Sequence, residues 1–160
     1  MAKVSHFLVF ASLFLLARGH QGHSHQGRGH GSKVLGLNLV KTTENQQILL
    51  DLARVLKGHV EVTLAGDFEV TDVSEVTAAT RTISWLRNSP VVRSTSLEDG
   101  SHFLQRFREV CARFHEDGEL KQWLRDSKFS LVLLPLFLQD GCVLNFFKDL
   151  GVPVVGIITR

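Results

Sequence analysis

The closing segment constrains the fold more than any other part of this chain. Lys128-Phe129-Ser130-Leu131-Val132-Leu133-Leu134 has the pattern of a buried strand. A polar-capped helical stretch follows, and Gly151-Val152-Pro153-Val154-Val155-Gly156-Ile157-Ile158 enters a second strand. Two buried apolar runs joined by a helix fit a parallel βαβ unit, because parallel neighbours need a crossover of about a dozen residues or more. Sheets of this kind are covered on both faces, and their ligands gather outside the carboxyl ends of the strands. The sequence reaches Arg160 directly after this unit. A site shared with a further domain is therefore expected to lack its other half.

The amino terminus reads as a secretory signal over residues 1–19. Lys3 supplies the positive start, and Phe7 to Leu16 is an apolar run of ten residues. Ala17-Arg18-Gly19 places small residues where a signal peptidase cuts. Ten apolar residues fall short of the ~20 that a bilayer span takes, so cleavage is favoured over a short uncleaved anchor. No later segment is apolar for long enough to span, since Pro135 and Gln139-Asp140 interrupt the one candidate. The chain is thus expected in the endoplasmic reticulum lumen or outside the cell. Secretory entry permits a bridge between Cys111 and Cys142, each on a helical stretch. Two buried thiols are the preferred expectation.

Residues 20–32 are rich in histidine and glycine, and His20, His23, His25 and His30 are the candidate metal ligands. No carboxylate or thiolate accompanies them, and glycine resists fixed geometry. A solvated linker is the favoured reading.

The domain then occupies residues 33–160, enough for one hydrophobic core. The net charge is +2 with scattered basic residues, which gives no footprint for nucleic acid. Lys33 to Val40 reads as a strand. Thr42-Thr43-Glu44-Asn45 offers helix-capping residue types, and Ile48, Leu49, Leu52, Val55 and Leu56 recur at helical spacing. Gly58 ends that helix, and His59 to Leu64 alternates as a strand. Residues 67–100 are the least legible: Phe68 to Thr71 fits a short strand, and Thr80 to Leu86 fits a strand or a short helix. Helices are expected over Ser101–His115, Leu120–Lys128 and 140–150, with strands at 129–134 and 153–158. Parallel strands separated by amphipathic helices give an α/β sheet with helices on both faces.

No Gly-x-Gly-x-x-Gly follows a strand, and no P-loop, His-Glu-x-x-His, Cys-x-x-Cys or Gly-x-Ser-x-Gly occurs. The turn after the first strand holds Glu44, a possible base that the helix macrodipole explains as well. His59, His102 and His115 lie at helix ends. Trp85, Trp123 and the Phe103/Phe107/Phe114 stripe read as core.

Three blocks carry a resemblance. Leu52 to Thr63 contains Gly58-His59-Val60-Glu61-Val62-Thr63. Val110-Cys111, Leu120 and Trp123-Leu124 lead to Phe129-Ser130-Leu131-Val132. Phe137-Leu138-Gln139-Asp140-Gly141-Cys142 leads to Gly151-Val152-Pro153-Val154-Val155-Gly156-Ile157. Together they resemble the N-terminal half of the UDP-glycosyltransferases of the UDP-glucuronosyltransferase type, over about residues 33 to 160. That resemblance implies a Rossmann-like acceptor-binding domain, the N-terminal half of a GT-B architecture. It further implies a small lipophilic acceptor, a UDP-sugar donor bound by the other half, and a full-length family member as a partner. Thr43, Asn45 and Phe137 would line the acceptor site. The family's base histidine should fall at Thr43 to Asn45, and its carboxylate near Leu134 or Pro135. Neither is present, which leaves Glu44 and Asp140 as the catalytic candidates. A truncated or partial transferase, inactive alone, is the expectation. The alternative is a non-catalytic secreted lipophile-binding or family-dimerising module. A different strand order would instead mark a flavodoxin-like or periplasmic-binding-like half domain.

Overall fold

Every strand pairing in the sheet is parallel. The structure is a computed structural model that describes residues 32–68, 77, 79–88, 100–135 and 141–158. The signal segment, the histidine tract, Glu69-Val70-Thr71, Ser89-Pro90, Glu98-Asp99, Phe137 and Asp140 lie outside the described residues. The chain runs through β1 (Lys33–Leu37), α1 (Thr43–Leu56), β2 (Glu61–Gly66), β3 (Ala79–Thr82) and α2 (Ser84–Arg87). It continues through α3 (Gly100–Glu116), α4 (Gly118–Asp126), β4 (Leu131–Pro135), α5 (Gly141–Asp149) and β5 (Val154–Ile157). The sheet order is β3-β2-β1-β4-β5. Val34 pairs with Val62 on one side and with Leu131 on the other, so β1 is central. The chain builds outward to β3, then returns past β1 to add β4 and β5. The direction of winding reverses between β1 and β4.

Alternation along the strands divides the core into two layers. Leu35, Leu37, Ala65, Val132 and Leu134 pack with Phe114, Leu120, Leu124, Val143 and Phe147 of α3, α4 and α5. On the opposite face, Gly36 lies directly against Leu64 and Leu49 of α1, leaving no room for a side chain. Burial on both faces explains why β1 and β4 read as continuous apolar runs. Phe146 meets Phe114 edge to face at 5.4 Å, and Trp123 meets Phe129 at 5.5 Å. Removing a buried Leu or Phe from this interior would cost about 2–5 kcal/mol.

Local chemistry sets the helix limits. The Thr42 Oγ1 accepts from Asn45 N at 3.0 Å and starts α1. Gly58, at φ +86°, lets the chain turn out of that helix into β2. Gly151 does the same after α5 at φ +68°. The Val152 N–H donates to Phe147 O at 3.0 Å. Pro153 needs no N–H to enter the sheet, because it is its carbonyl that accepts, from Val132 N at 3.0 Å.

The architecture is a Rossmann-like parallel α/β sheet with helices on both faces. Two sequence expectations change. Residues 79–87 form both a short strand and a short helix, β3 and α2. Cys111 of α3 and Cys142 of α5 are not thiols but a disulfide, their Cα atoms 6.0 Å apart. The two helices cover the same face, which brings the side chains within bridging range. Among the described residues no helix is long and apolar enough to cross a membrane.

Candidate ligand site at the carboxyl edge of the sheet

Parallel strands all end on one side, and two features stand there. The first is an open groove of about 500 Å³. Arg81, Thr82 and Ile83 line it from the end of β3, and Ser84 and Trp85 from α2. Arg113, Glu116, Asp117, Glu119 and Leu120 line it from the elbow between α3 and α4. The elbow reaches this edge because α4 leads into β4 and so runs antiparallel to the strands. Its volume falls in the range of small-molecule pockets, about 300–1,000 Å³.

Asp117 is the joint of the groove. Its Oδ1 accepts from Leu120 N at 2.8 Å and caps α4, while Oδ2 accepts from Trp85 Nε1 at 3.1 Å. One carboxylate therefore fixes both a helix start and an aromatic wall. The Arg81 guanidinium lies 4.9 Å from the centroid of the Trp123 ring. Its one ion-pair partner among the described residues is Glu119, with Nη2 to Oε1 at 3.7 Å. The Glu119 side chain is 91% exposed, against 31% for Arg81. A pair that open to water holds its partners weakly, at about 0–1 kcal/mol. The cation is positioned by the ring and barely claimed by its acid.

The second feature lies where the winding reverses, beside the first turn of α1. Asn38 is 2% exposed and Asn45 1% exposed. The Asn38 Oδ1 and both the Oδ1 and Nδ2 of Asn45 are buried without a hydrogen-bond partner among the described residues. Leu35, Leu37 and Leu39 all join the core under α3–α5. Asn38, between two of them, is turned to the α1 side. Asn45 lies one helical turn before Leu49 on the buried stripe of α1. The two carboxamides thus share one layer. Each orphaned buried group costs about 1–3 kcal/mol. Asp67, the residue after Gly66, ties the neighbouring segments together. Its carboxylate pairs with Lys41, and its carbonyl accepts from Gln46 Nε2.

The residues singled out from sequence distribute unevenly. Glu44 and Thr43 are exposed on the first turn of α1, whereas Asn45 is buried. Successive helical residues diverge by about 100°, so Glu44 and Asn45 do not converge on one ligand. Phe137, Asp140 and His20, His23, His25 and His30 fall outside the described residues. Among the described residues no cluster of three or more His, Cys, Asp or Glu could hold a metal ion. Sequence reading missed Asn38, although a lone amide in Leu37-Asn38-Leu39 is a visible break in an apolar run. It also missed Arg81, Arg113 and Asp117. The sequence reads Trp85 and Trp123 as core; both pack against it, yet Trp85 also lines the groove.

The chain matches no protein-family model and no curated protein. It is similar in structure to the C-terminal domain of a hydrogenase from Pyrococcus furiosus, with a TM-score of 0.54 and 16% sequence identity. That match covers 78% of this chain and 89% of the other. So distant a likeness carries the fold and nothing of the chemistry. Membership of the UDP-glycosyltransferases is therefore withdrawn, and with it the GT-B arrangement and the residue roles taken from it. The blocks behind it are the grammar of the fold. Gly58 and Gly151 are left-handed helix ends, and Pro153 is a strand entry. Any parallel βαβ unit draws on the same residue types for the same reasons. The lipophilic acceptor, the UDP-sugar and a family partner lose their basis with the resemblance that implied them.

Proposed function

We propose that this domain is a non-catalytic binding module for a small organic anion with an apolar body, held in the groove between β3 and the α3–α4 elbow. The observation that carries the reading is Arg81, laid on Trp123, lining a pocket and paired among the described residues only with an exposed glutamate. A planar guanidinium takes a carboxylate through two parallel hydrogen bonds, better than a single solvated contact. Half-buried Trp85 offers the apolar surface for the rest of the ligand, backed by the buried Ile83 and Leu120. Glu119 is the competitor that the ligand displaces. The Cys111–Cys142 bridge and the apolar run from Phe7 to Leu16 support a secretory-pathway location.

Calorimetric titration with aryl-alkanoic acids and their neutral amides tests this. The acids should bind at least tenfold more tightly than the amides, since a hydrogen bond to a charged group is worth about 1.5–3 kcal/mol. Arg81→Met should remove that preference, and Glu119→Gln should tighten the acids. Equal binding of acid and amide, or an Arg81→Met protein that binds acids as before, would overturn the reading.

A further inference from the structure

We propose a second recognition point at the reversal of the sheet, where Asn38 and Asn45 take an uncharged ligand group bearing a hydrogen-bond donor beside an acceptor, such as a primary amide. Three atoms define its chemistry: two carbonyl oxygens and one amide nitrogen, all buried and without a partner among the described residues. An anion suits the start of a 14-residue helix, but the two carbonyl oxygens oppose it. A cation would satisfy those oxygens, but the positive end of the α1 dipole and the Asn45 amide nitrogen oppose it. A neutral donor–acceptor group meets both conditions. This site is separate from the groove: it lies on the α1 face of the sheet, whereas the groove belongs to the α3–α4 side.

The same residues describe how the site closes. Gly66 is packed so tightly on Asn38 that an added Cβ would stand 2.9 Å from the Asn38 carbonyl oxygen and 3.1 Å from its Cβ. The next residue, Asp67, holds Lys41 from the β1 loop and Gln46 from α1. Asp67 thereby joins the end of β2, which packs on Asn38 through Gly66, to Lys41 and to Gln46, the neighbour of Asn45. A ligand reaches the carboxamides in this proposal when that knot parts. Its Lys41 and Asp67 side chains are 24% and 18% exposed, so salt reaches the pair and loosens it.

The test follows the asparagine side-chain NH2 resonances of the full chain labelled with ¹⁵N, titrated with nicotinamide and, in parallel, with benzoate. Nicotinamide should shift the Asn38 and Asn45 signals saturably, and benzoate should leave them in place. Lys41→Met should raise the association rate about tenfold, and Asn45→Leu should abolish the response while the chain still melts cooperatively. Asn38→Ala serves where Asn45→Leu does not fold. Signals that ignore nicotinamide, or that show contact with a long-lived internal water unchanged by it, would overturn the proposal. Retained carboxylate binding in the groove by Asn45→Leu keeps the two sites distinct. Loss of this site leaves the Arg81 result standing, and the reverse holds equally.

Discussion

At the scale of single residues, Asp117 joins more of the site than its sequence position suggests. In Asp117-Gly118-Glu119 it reads as a break between two helices. In the fold its two oxygens hold the first turn of α4 and the indole of Trp85. Asp117→Ala removes both bonds. Loss of a helix cap costs about 0.5–2 kcal/mol, and loss of a half-buried hydrogen bond to a charged acceptor about 1.5–3. The expected loss in urea unfolding is about 2–4 kcal/mol. Asp117→Asn keeps one carbonyl acceptor and should restore roughly half. A change under about 0.5 kcal/mol for Asp117→Ala would show that neither contact bears on stability. Arg81 gives the complementary case: its stacking on Trp123 sets where its charge sits, while the exposed Glu119 adds little.

At the scale of elements, the Cys111–Cys142 bridge ties α3 to α5 across 31 residues of sequence. Closing a loop of that size restricts the unfolded chain and contributes about 2–4 kcal/mol. The Cys111→Ser/Cys142→Ser double variant should lose about that much in urea, and reduction of the wild type should reproduce it. A loss below about 1 kcal/mol would place the bridge among incidental ones. The helices and most strands were legible because their signals are local: apolar runs in β1, β2 and β4, a threonine cap, and Gly58 and Gly151 past helix ends. β3 was not. Its Ala79-Thr80-Arg81-Thr82 is largely exposed, so it owes its strand state to pairing with Thr63 to Gly66 rather than to its own pattern. The bridge was misjudged for the same reason. Nothing within either helix says that the two will lie side by side.

At the scale of the whole molecule, the return of the chain past β1 brings residues 81–85 and 113–120 to one edge and creates the groove. No local motif announces such a site, so sequence motifs pointed to α1 instead. Of Thr43, Glu44 and Asn45, Asn45 is the buried one, and its counterpart Asn38 arrives from the strand. The same return path links the bridge to the groove. Arg113 and Glu116 line the groove from the last turn of α3, and Cys111 lies only two residues before Arg113. The bridge therefore anchors the end of α3 against α5, which also packs on it through Phe114 and Phe146 at 5.4 Å. Reduction should leave the sheet intact but let that last turn fray, and a ligand would then have to order it on binding. Coupling between linked sites is typically about 1–3 kcal/mol; two residues of helix lie at its low end. Carboxylate affinity should fall about fivefold when dithiothreitol is added at neutral pH. The benzoate-insensitive signals of Asn38 and Asn45, on the far face, should not move. Calorimetry with and without reductant, under conditions where the protein stays folded, decides the matter. An unchanged Kd would mean that Phe114 and its neighbours hold the end of α3 without help from the disulfide.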